Sequence, residues 1–306
     1  MALTYNQLTG ITRKKFIPKL VDNIFDSNAL LQRAKKKWYE KLDGGERIMV
    51  PLEYAKLTAS GWYSGADTLS TTDNDSITAA EYLWRQLYVN ISIRRDEELK
   101  NMGDSQAVNL VKGKVKGAEK QMADLLGIGL YNNGTTTDAI VGLRDIVATD
   151  QTVGGISQTT NSWWQGQVDS STTVLTIAAM QAQFEAASIG NDRPSIIAAT
   201  RSNYNRYYAL LQPQQRFQSE ETAKGGFSSL MFNSVPIVSD ANCPTSHMFM
   251  LNEKYIRFYA HKSEDFRMTD FESPVNQNVK TAKLFWMGAL GSSNNRMHAA
   301  LTAVTG

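Results

Sequence analysis

The chain has few of the side chains from which enzyme and metal sites are usually built. Its 306 residues include one cysteine, Cys243, and three histidines. A single cysteine excludes an intramolecular disulfide and suits a protein made in a reducing cytoplasm. So few thiol and imidazole groups also argue against a zinc site. The sequence has no phosphate-binding loop, no Gly-x-Ser-x-Gly elbow and no His-Glu-x-x-His helix. We therefore expect neither an enzyme nor a protein that holds a metal or an organic cofactor.

Long hydrophobic runs are missing as well. No apolar run approaches the roughly 20 residues that a membrane-spanning helix needs. The N-terminus lacks the charged-then-apolar pattern of a secretory signal. We expect a soluble protein without a membrane partner, because 42% apolar residues are enough to build a substantial core.

Charge is nearly balanced over the whole chain but unevenly placed. The net charge of +2 does not indicate a nucleic-acid-binding protein as a whole. Residues 1–41, however, carry nine Lys or Arg against three acidic residues, a net charge of +6. The basic residues include two clusters of three, namely Arg13, Lys14 and Lys15, and Lys35, Lys36 and Lys37. These clusters indicate contact with an acidic protein surface or with DNA phosphate, or else a solvated helical face, and the two interpretations weigh equally.

The most informative segment has two strand patterns that flank a long polar span. Residues 46–52 form the outgoing strand, and in residues 87–94 apolar and polar side chains alternate, which is typical of a half-buried strand. The span from about 59 to 80 is polar, whereas structureless loops longer than about 12–15 residues are rare in compact domains. Its apolar residues include Trp62, Tyr63 and Leu69. Because the span cannot cover these three side chains itself, we interpret them as intersubunit contacts covered by another copy of the chain.

Three further patterns follow along the chain. Asp104 or Ser105 can cap a helix whose apolar and small residues recur at spacings of four and three as far as Gly129. This stripe predicts a helix of roughly 25 residues that packs against a sheet. From about residue 170, helix and strand patterns alternate, which favours a mixed α/β domain. The tail predicts a hairpin between 279–287 and 295–304.

A local motif adds to this order of parts. Residues 226–240 read Gly-Phe-Ser-Ser-Leu-Met-Phe-Asn-Ser-Val-Pro-Ile-Val-Ser-Asp, and Leu251-Asn252 follows. The segment 142–147 with the pair Trp163-Trp164 is the second distinctive stretch. Together with the order of elements, these motifs resemble the major capsid proteins of tailed double-stranded DNA phages, whose fold recurs in herpesvirus capsid proteins and in encapsulins. The sequence departs from that pattern at Ser234, where a glycine is common.

The resemblance covers nearly the whole chain and implies an α+β fold of the phage major-capsid type. It divides the chain into four parts. These are an N-terminal arm at 1–43, an extended two-stranded projecting loop at 44–97, a peripheral domain with a long spine helix and a β-sheet at 98–169 and 275–306, and a mixed α/β axial domain at 170–274.

The resemblance also implies a role. Pentamers and hexamers of such a subunit tile an icosahedral shell around packaged DNA, with a portal and a separate scaffolding protein as further partners. The protein would then be located in the virion capsid after assembly in the host bacterial cytoplasm. The main alternative is an encapsulin-type nanocompartment of the same fold, which encloses cargo enzymes. An enzyme that uses the α/β domain, or a tail subunit, fits the sequence less well.

Overall fold

The structure is a computed structural model that describes residues 28–72, 74–100, 104–211 and 230–305, although the side chains of 98–100 and 104–110 lie outside this description. The helices are α1 Ala29–Lys37, α2 Arg95–Lys100, α3 Asp104–Leu130, α4 Leu143–Ile146, α5 Ile177–Ala186 and α6 Arg201–Leu211. The strands are β1 Tyr39–Leu42, β2 Arg47–Glu53, β3 Ile77–Leu83, β4 Arg85–Arg94, β5 Thr152–Val153, β6 Ile156–Ser157, β7 Gln167–Asp169, β8 Ile196–Ala199, β9 Met231–Phe232, β10 Val235–Ser239, β11 Met248–Leu251, β12 Ile256–His261, β13 Arg267–Met268, β14 Val279–Ser292 and β15 Ala299–Leu301.

A first sheet is organised around the long strand β14. Strand β4 pairs antiparallel with β14 over ten residues, while β12 and β13 pair with its opposite edge. Strand β1 runs parallel to β12 and forms the outer edge. In β4 the side chains of Ile91 and Ile93 are buried and every second residue is exposed. The alternation that the sequence predicts for this strand is therefore confirmed.

A second sheet has the strand order β7-β15-β11-β8-β10-β9. Every residue of β8 and β11 is buried, because both faces of this sheet are covered. One face joins the large core that also contains α1 and α3. The other face packs with α5 and α6 around a smaller core that includes Met180, Phe184 and Tyr207. The mixed α/β arrangement predicted for this part of the chain is thus present.

The predicted spine helix is confirmed as α3, which has 27 residues. Its buried stripe includes Val115, Ala118, Met122 and Leu126, and the helix packs against β4 of the first sheet. Period-3.6 placement of these residues on one face explains the contact, since a helix stripe must be buried against a neighbouring layer.

The pairing predicted for the outgoing strand is wrong. Strand β2 matches the predicted segment, but its partner is β3, from Arg47 opposite Leu83 to Glu53 opposite Ile77. The predicted partner, residues 87–94, belongs to β4 and pairs with β14 instead. The irregular span is consequently 54–76, shorter than the stretch 53–86 that separates the two predicted strands.

The hairpin predicted for the tail is also wrong. Residues 279–292 form the single strand β14, and the chain then turns and enters the second sheet. There β15 pairs antiparallel with β11 and parallel with β7. Gly288 and Gly291 resemble turn residues in the sequence but lie inside β14. Glycine is needed at both positions because their neighbours leave no room for a side chain. A Cβ on Gly288 would lie 2.3 Å from the carbonyl oxygen of Tyr259.

The sheets do not follow the predicted domain boundaries. Strand β12, within the range 170–274, lies in the first sheet, whereas β7 and β15, predicted to be peripheral, lie in the second. Residues 29–42 of the predicted arm are packed on the body, with Leu30 and Leu31 fully buried. The four-part division stays a prediction, and the arm preceding residue 28 lies outside the described residues.

Candidate assembly surfaces

The projecting loop, defined here as residues 54–76, is closed at its neck by one side chain. The Asn74 Oδ1 accepts hydrogen bonds from the Thr58 amide (3.0 Å) and the Thr58 hydroxyl (3.1 Å). The Asn74 Nδ2 donates to the carbonyl oxygen of Lys56 (3.2 Å). An amide side chain can tie the returning side of the neck to two residues of the outgoing side in this way because it carries donors and an acceptor together.

The tip of the projecting loop has no cover from the described part of the chain. Residues 56–72 are all exposed. Trp62 is fully exposed, at 106% of its reference area, and the values for Tyr63 and Leu69 are 67% and 59%. Burial of a large apolar side chain is worth about 1.5–3 kcal/mol. A neighbour that covered all three would therefore gain roughly 5–9 kcal/mol before the entropy of ordering the tip is subtracted.

In contrast, the base of the same hairpin is docked firmly on the body. The Glu81 amide donates to the carbonyl oxygen of Gly154 (2.9 Å), and the ring of Tyr54 stacks on Trp163 with centroids 5.0 Å apart. Tyr82 is 2% exposed. Its hydroxyl donates to the carbonyl oxygen of Ser292 (2.7 Å) and accepts from the Ser292 amide (2.9 Å). The hairpin thus combines a fixed base with an uncovered apolar tip.

A buried histidine supports this docking point. The Nδ1 of His298 accepts a hydrogen bond from the Asn252 amide (3.1 Å). Its Nε2 lies 3.4 Å from the hydroxyl of Ser292. Complete burial lowers the pKa of His298 to about 3, so the ring is neutral near pH 7. With Nδ1 as the acceptor, the remaining hydrogen sits on Nε2 and points at Ser292.

Helix α1 is held on the second sheet at its middle by Glu253. The Arg33 guanidinium donates from Nε and Nη2 to the two carboxylate oxygens of Glu253, at 2.6 and 2.9 Å. The Trp38 indole donates to the same carboxylate at 3.2 Å, and the Ser195 hydroxyl does so at 3.0 Å. Bidentate Arg–carboxylate pairs are geometrically specific. This contact therefore fixes the orientation of α1.

The start of helix α1 is held by a second carboxylate. Asp240, at the end of β10, is 1% exposed and accepts from the Leu30 amide (3.3 Å) and the Asn242 amide (2.9 Å). The side-chain amide of Asn28, in the orientation that satisfies its neighbours, donates to both carboxylate oxygens at 2.8 and 2.9 Å. Burial raises the pKa of Asp240, although these hydrogen bonds oppose the shift. A negative charge at a helix N-terminus is stabilising. The resemblance singles out Asp240, but no sequence signal shows that it receives α1.

The predicted basic contacts lie partly within this helix. Lys35, Lys36 and Lys37 form the last turn of α1 and are exposed. Cationic residues at a helix C-terminus interact favourably with its dipole, so their position has a local reason as well as the proposed intermolecular one. The other three predicted contacts, Arg13, Lys14 and Lys15, lie outside the described residues.

The groups that could suggest chemistry are not arranged for it. The Cys243 thiol lies 3.6 Å from the carbonyl oxygen of His247, and this hydrogen bond involves the backbone of His247 and not its ring. Burial raises the pKa of Cys243, whereas a nucleophilic thiol needs a lowered one. Among the described residues, no group of three His, Cys, Asp or Glu side chains could hold a metal ion. The helices of the same residues are too short or too polar to cross a bilayer.

Comparison with known proteins identifies the fold by structure alone. No protein-family model matches the chain, and no curated protein matches it. A chain of the capsid of cyanophage A-1(L) is similar at a TM-score of 0.68 and 17% identity, over 88% of this chain and 91% of that one. The capsid of the native GTA particle gives a TM-score of 0.65 and 10% identity, over 90% of both chains. The chain has the phage major-capsid fold.

An encapsulin is similar in structure as well. The holo-SrpI encapsulin complex from Synechococcus elongatus PCC 7942 is similar at a TM-score of 0.55 and 12% identity, over 89% of this chain and 87% of that chain. The expectation of a phage major-capsid fold is therefore confirmed. Because one fold hosts different functions, the likeness identifies the fold and not the role of the chain.

Proposed function

We propose that the chain is the major capsid protein of a tailed phage. Pentamers and hexamers of it tile an icosahedral shell that encloses the phage DNA, and the chain has no catalytic role. The observation that carries this proposal is the β2–β3 hairpin, whose base is docked on the body and whose projecting loop carries uncovered apolar side chains. A tip presented in this way is complementary to a fixed site on a neighbour, because the docked base limits the entropy that is lost on contact.

The energetics of a shell agree with this arrangement. Each subunit shares several contacts, and a specific interface buries about 1,200–2,000 Å². The aromatic anchors Trp62 and Tyr63 are of the residue types that dominate such interfaces. Leu69 adds apolar area on the same tip. Many copies of a modest contact then stabilise a closed particle that no single contact could hold.

Expression of the full chain followed by size-exclusion chromatography and negative-stain microscopy tests the proposal. We expect closed particles from the wild type and none from the triple variant Trp62→Ser, Tyr63→Ser, Leu69→Ser, because the tip loses its apolar area. The matched control is Trp62→Phe, Tyr63→Phe, Leu69→Met, which keeps that area and should still assemble. A wild type that remains a folded monomer, or a serine variant with normal particle yield, would contradict the proposal.

The main alternative is an encapsulin-type shell, since an encapsulin has the same fold. The two functions differ in what the particle contains. We expect particles isolated from the native host to contain nuclease-protected DNA, and gene neighbours to encode a terminase and a portal. Protein cargo without DNA, beside a peroxidase or ferritin-like gene, would favour the compartment.

Further partners complete the proposed role. A portal and a separate scaffolding protein assist assembly in the host bacterial cytoplasm, and the mature location is the virion capsid. The exposed lysines at the end of α1 contact acidic neighbours or DNA. The variant Lys35→Glu, Lys36→Glu, Lys37→Glu should therefore lower the particle yield and make that yield less dependent on salt. A particle yield that does not change would count against this contact.

A further inference from the structure

The outward face of helix α3 carries an unusual set of residues. From 111 to 121 its exposed positions alternate between lysine and glycine and end at a glutamine; they are Lys112, Gly113, Lys116, Gly117, Lys120 and Gln121. The lysines recur every four residues and so lie above one another along the helix. The term lysine face is used below for Lys112, Lys116 and Lys120 with the two glycines between them.

The described elements do not pack on this face. Within the described part of the chain, none of the three lysines forms an ion pair, although Lys114, on a neighbouring face, lies 3.3 Å from Glu97. A Cβ added at Gly113 or Gly117 would meet nothing within 4 Å. Packing among the described residues therefore does not require these glycines, which are poor helix formers at mid-helix positions. Their absent side chains leave a low surface that an outside partner can approach closely.

The composition of the lysine face identifies the kind of partner. Protein interfaces are depleted in lysine and centre on apolar or aromatic anchors, but no such side chain is exposed between 111 and 121. Single-stranded nucleic acid is bound with stacked aromatic residues, which this face also lacks. Lysines alone are sufficient for sequence-independent contact with the phosphates of a duplex.

The spacing of the lysines agrees with that partner. From Lys112 to Lys120 the helix rises about 12 Å. One DNA strand carries a phosphate about every 3.4 Å along the duplex axis. Three cations in a line over that distance can therefore meet three or four phosphates of one strand.

The lysine face ends where the charge changes sign. Asp124 lies four residues after Lys120 and is exposed. The positively charged stretch of the helix surface therefore runs from Lys112 to Lys120. We propose that the lysine face of α3 binds the phosphate backbone of duplex DNA. This inference deepens the proposed function and rests on it.

The test uses the full chain below its assembly concentration and a random-sequence DNA duplex as the probe. Affinity is measured against salt concentration for the wild type and for Lys112→Gln, Lys116→Gln, Lys120→Gln. Each phosphate contact contributes about 0.9 to the slope of log affinity on log salt, so loss of three contacts should lower the slope by about 2.7. Between 50 and 200 mM salt, the wild type should lose about 40-fold more affinity than the variant.

Two controls separate this face from charge in general. The variant Lys254→Gln, Lys262→Gln, Lys283→Gln removes the same charge elsewhere and should keep the wild-type slope. The triple arginine variant of the lysine face should also keep it. The inference would be overturned by an unchanged slope in the glutamine variant of the lysine face. It would also be overturned if the control variant at Lys254, Lys262 and Lys283 lost as much of the slope. Normal DNA affinity with failed particle assembly would assign the face to an acidic protein partner and overturn it as well.

Failure of this inference can be told apart from failure of the proposed function. If wild-type chains form closed particles but the lysine face makes no contribution to DNA affinity, only the inference is lost. If the wild type forms no particles, the proposed function is lost whatever the DNA affinity is.

Discussion

Three glycines of helix α3 allow a test in which one substitution type has opposite effects along a single helix. Gly113 and Gly117 face open space, whereas a Cβ on Gly127 would lie 2.1 Å from the Asn242 side-chain nitrogen and 2.2 Å from the side-chain amide of Asn28. Alanine at the first two positions should stabilise the helix, and alanine at the third should disrupt its packing.

The magnitudes follow from helix propensity and from packing. A mid-helix Gly→Ala change without steric conflict gains about 0.5–1 kcal/mol, so Gly113→Ala with Gly117→Ala should add about 1–2 kcal/mol to the free energy of unfolding. Gly127→Ala must displace the two asparagines that surround Asp240, the residue that holds the start of α1. Overpacking of this kind costs about 1–3 kcal/mol.

Urea unfolding of the unassembled chain, followed by circular dichroism, measures both effects on one scale. The double variant should have a higher midpoint than the wild type, and Gly127→Ala should have a lower one. A double variant that is less stable than the wild type would mean that the outward face of α3 is packed within the chain. A neutral Gly127→Ala would mean that the contact of α3 with Asn28 and Asn242 is loose.

Three further changes test other parts of the structure. Asn233 and Ser234 form a two-residue turn between β9 and β10 with φ of 48° and 65°. Ser234→Gly should therefore raise the free energy of unfolding by about 0.5–1 kcal/mol. If chemical denaturation gave a lower free energy of unfolding for this variant, strain at the turn would be refuted. Glu253→Ala removes the bidentate partner of Arg33. It should lower the free energy of unfolding by about 2–3 kcal/mol and speed tryptic cleavage at the lysines of α1. A cleavage rate equal to that of the wild type would show that Glu253 does not hold the helix. The pKa of His298 is lowered to about 3, so the unfolded state binds a proton more readily below pH 6.5 and stability falls as the pH decreases. From pH 7 to 5.5 this loss is about 1 kcal/mol. It should disappear in His298→Gln when unfolding is measured at both pH values.

Sequence patterns were sufficient where one face of an element is buried. Helix α3 and strand β4 show clear periods because their inward positions are apolar, so both could be predicted with nearly correct bounds. The same reasoning missed β3. Its inward residues are Thr78, Ala80 and Tyr82, while its larger aliphatic residues Ile77 and Leu83 are exposed. A strand with this arrangement has no readable alternation.

The assembly surfaces divide in the same way. The exposed apolar tip could be predicted because Trp62, Tyr63 and Leu69 stand out in a polar span, although their contact with a neighbour stays a prediction. The contacts that dock the base of the hairpin and helix α1 could not be predicted from the sequence. Tyr82 meets Ser292 from 210 residues away, and Arg33 meets Glu253 from 220 residues away. Single polar residues at such separations carry no local signal, because only the folded topology brings them together.

The contact between Tyr82 and Ser292 has a consequence for synthesis. At a translation rate of about 5–20 residues per second, the 210 residues between them take roughly 10–40 s to be made. During that time the hairpin has been translated but its anchor has not. A nascent chain therefore holds the base of the hairpin only through nearer contacts such as those of Gly154 and Trp163, and under the proposed function only a completed chain presents a fully docked hairpin to a neighbour.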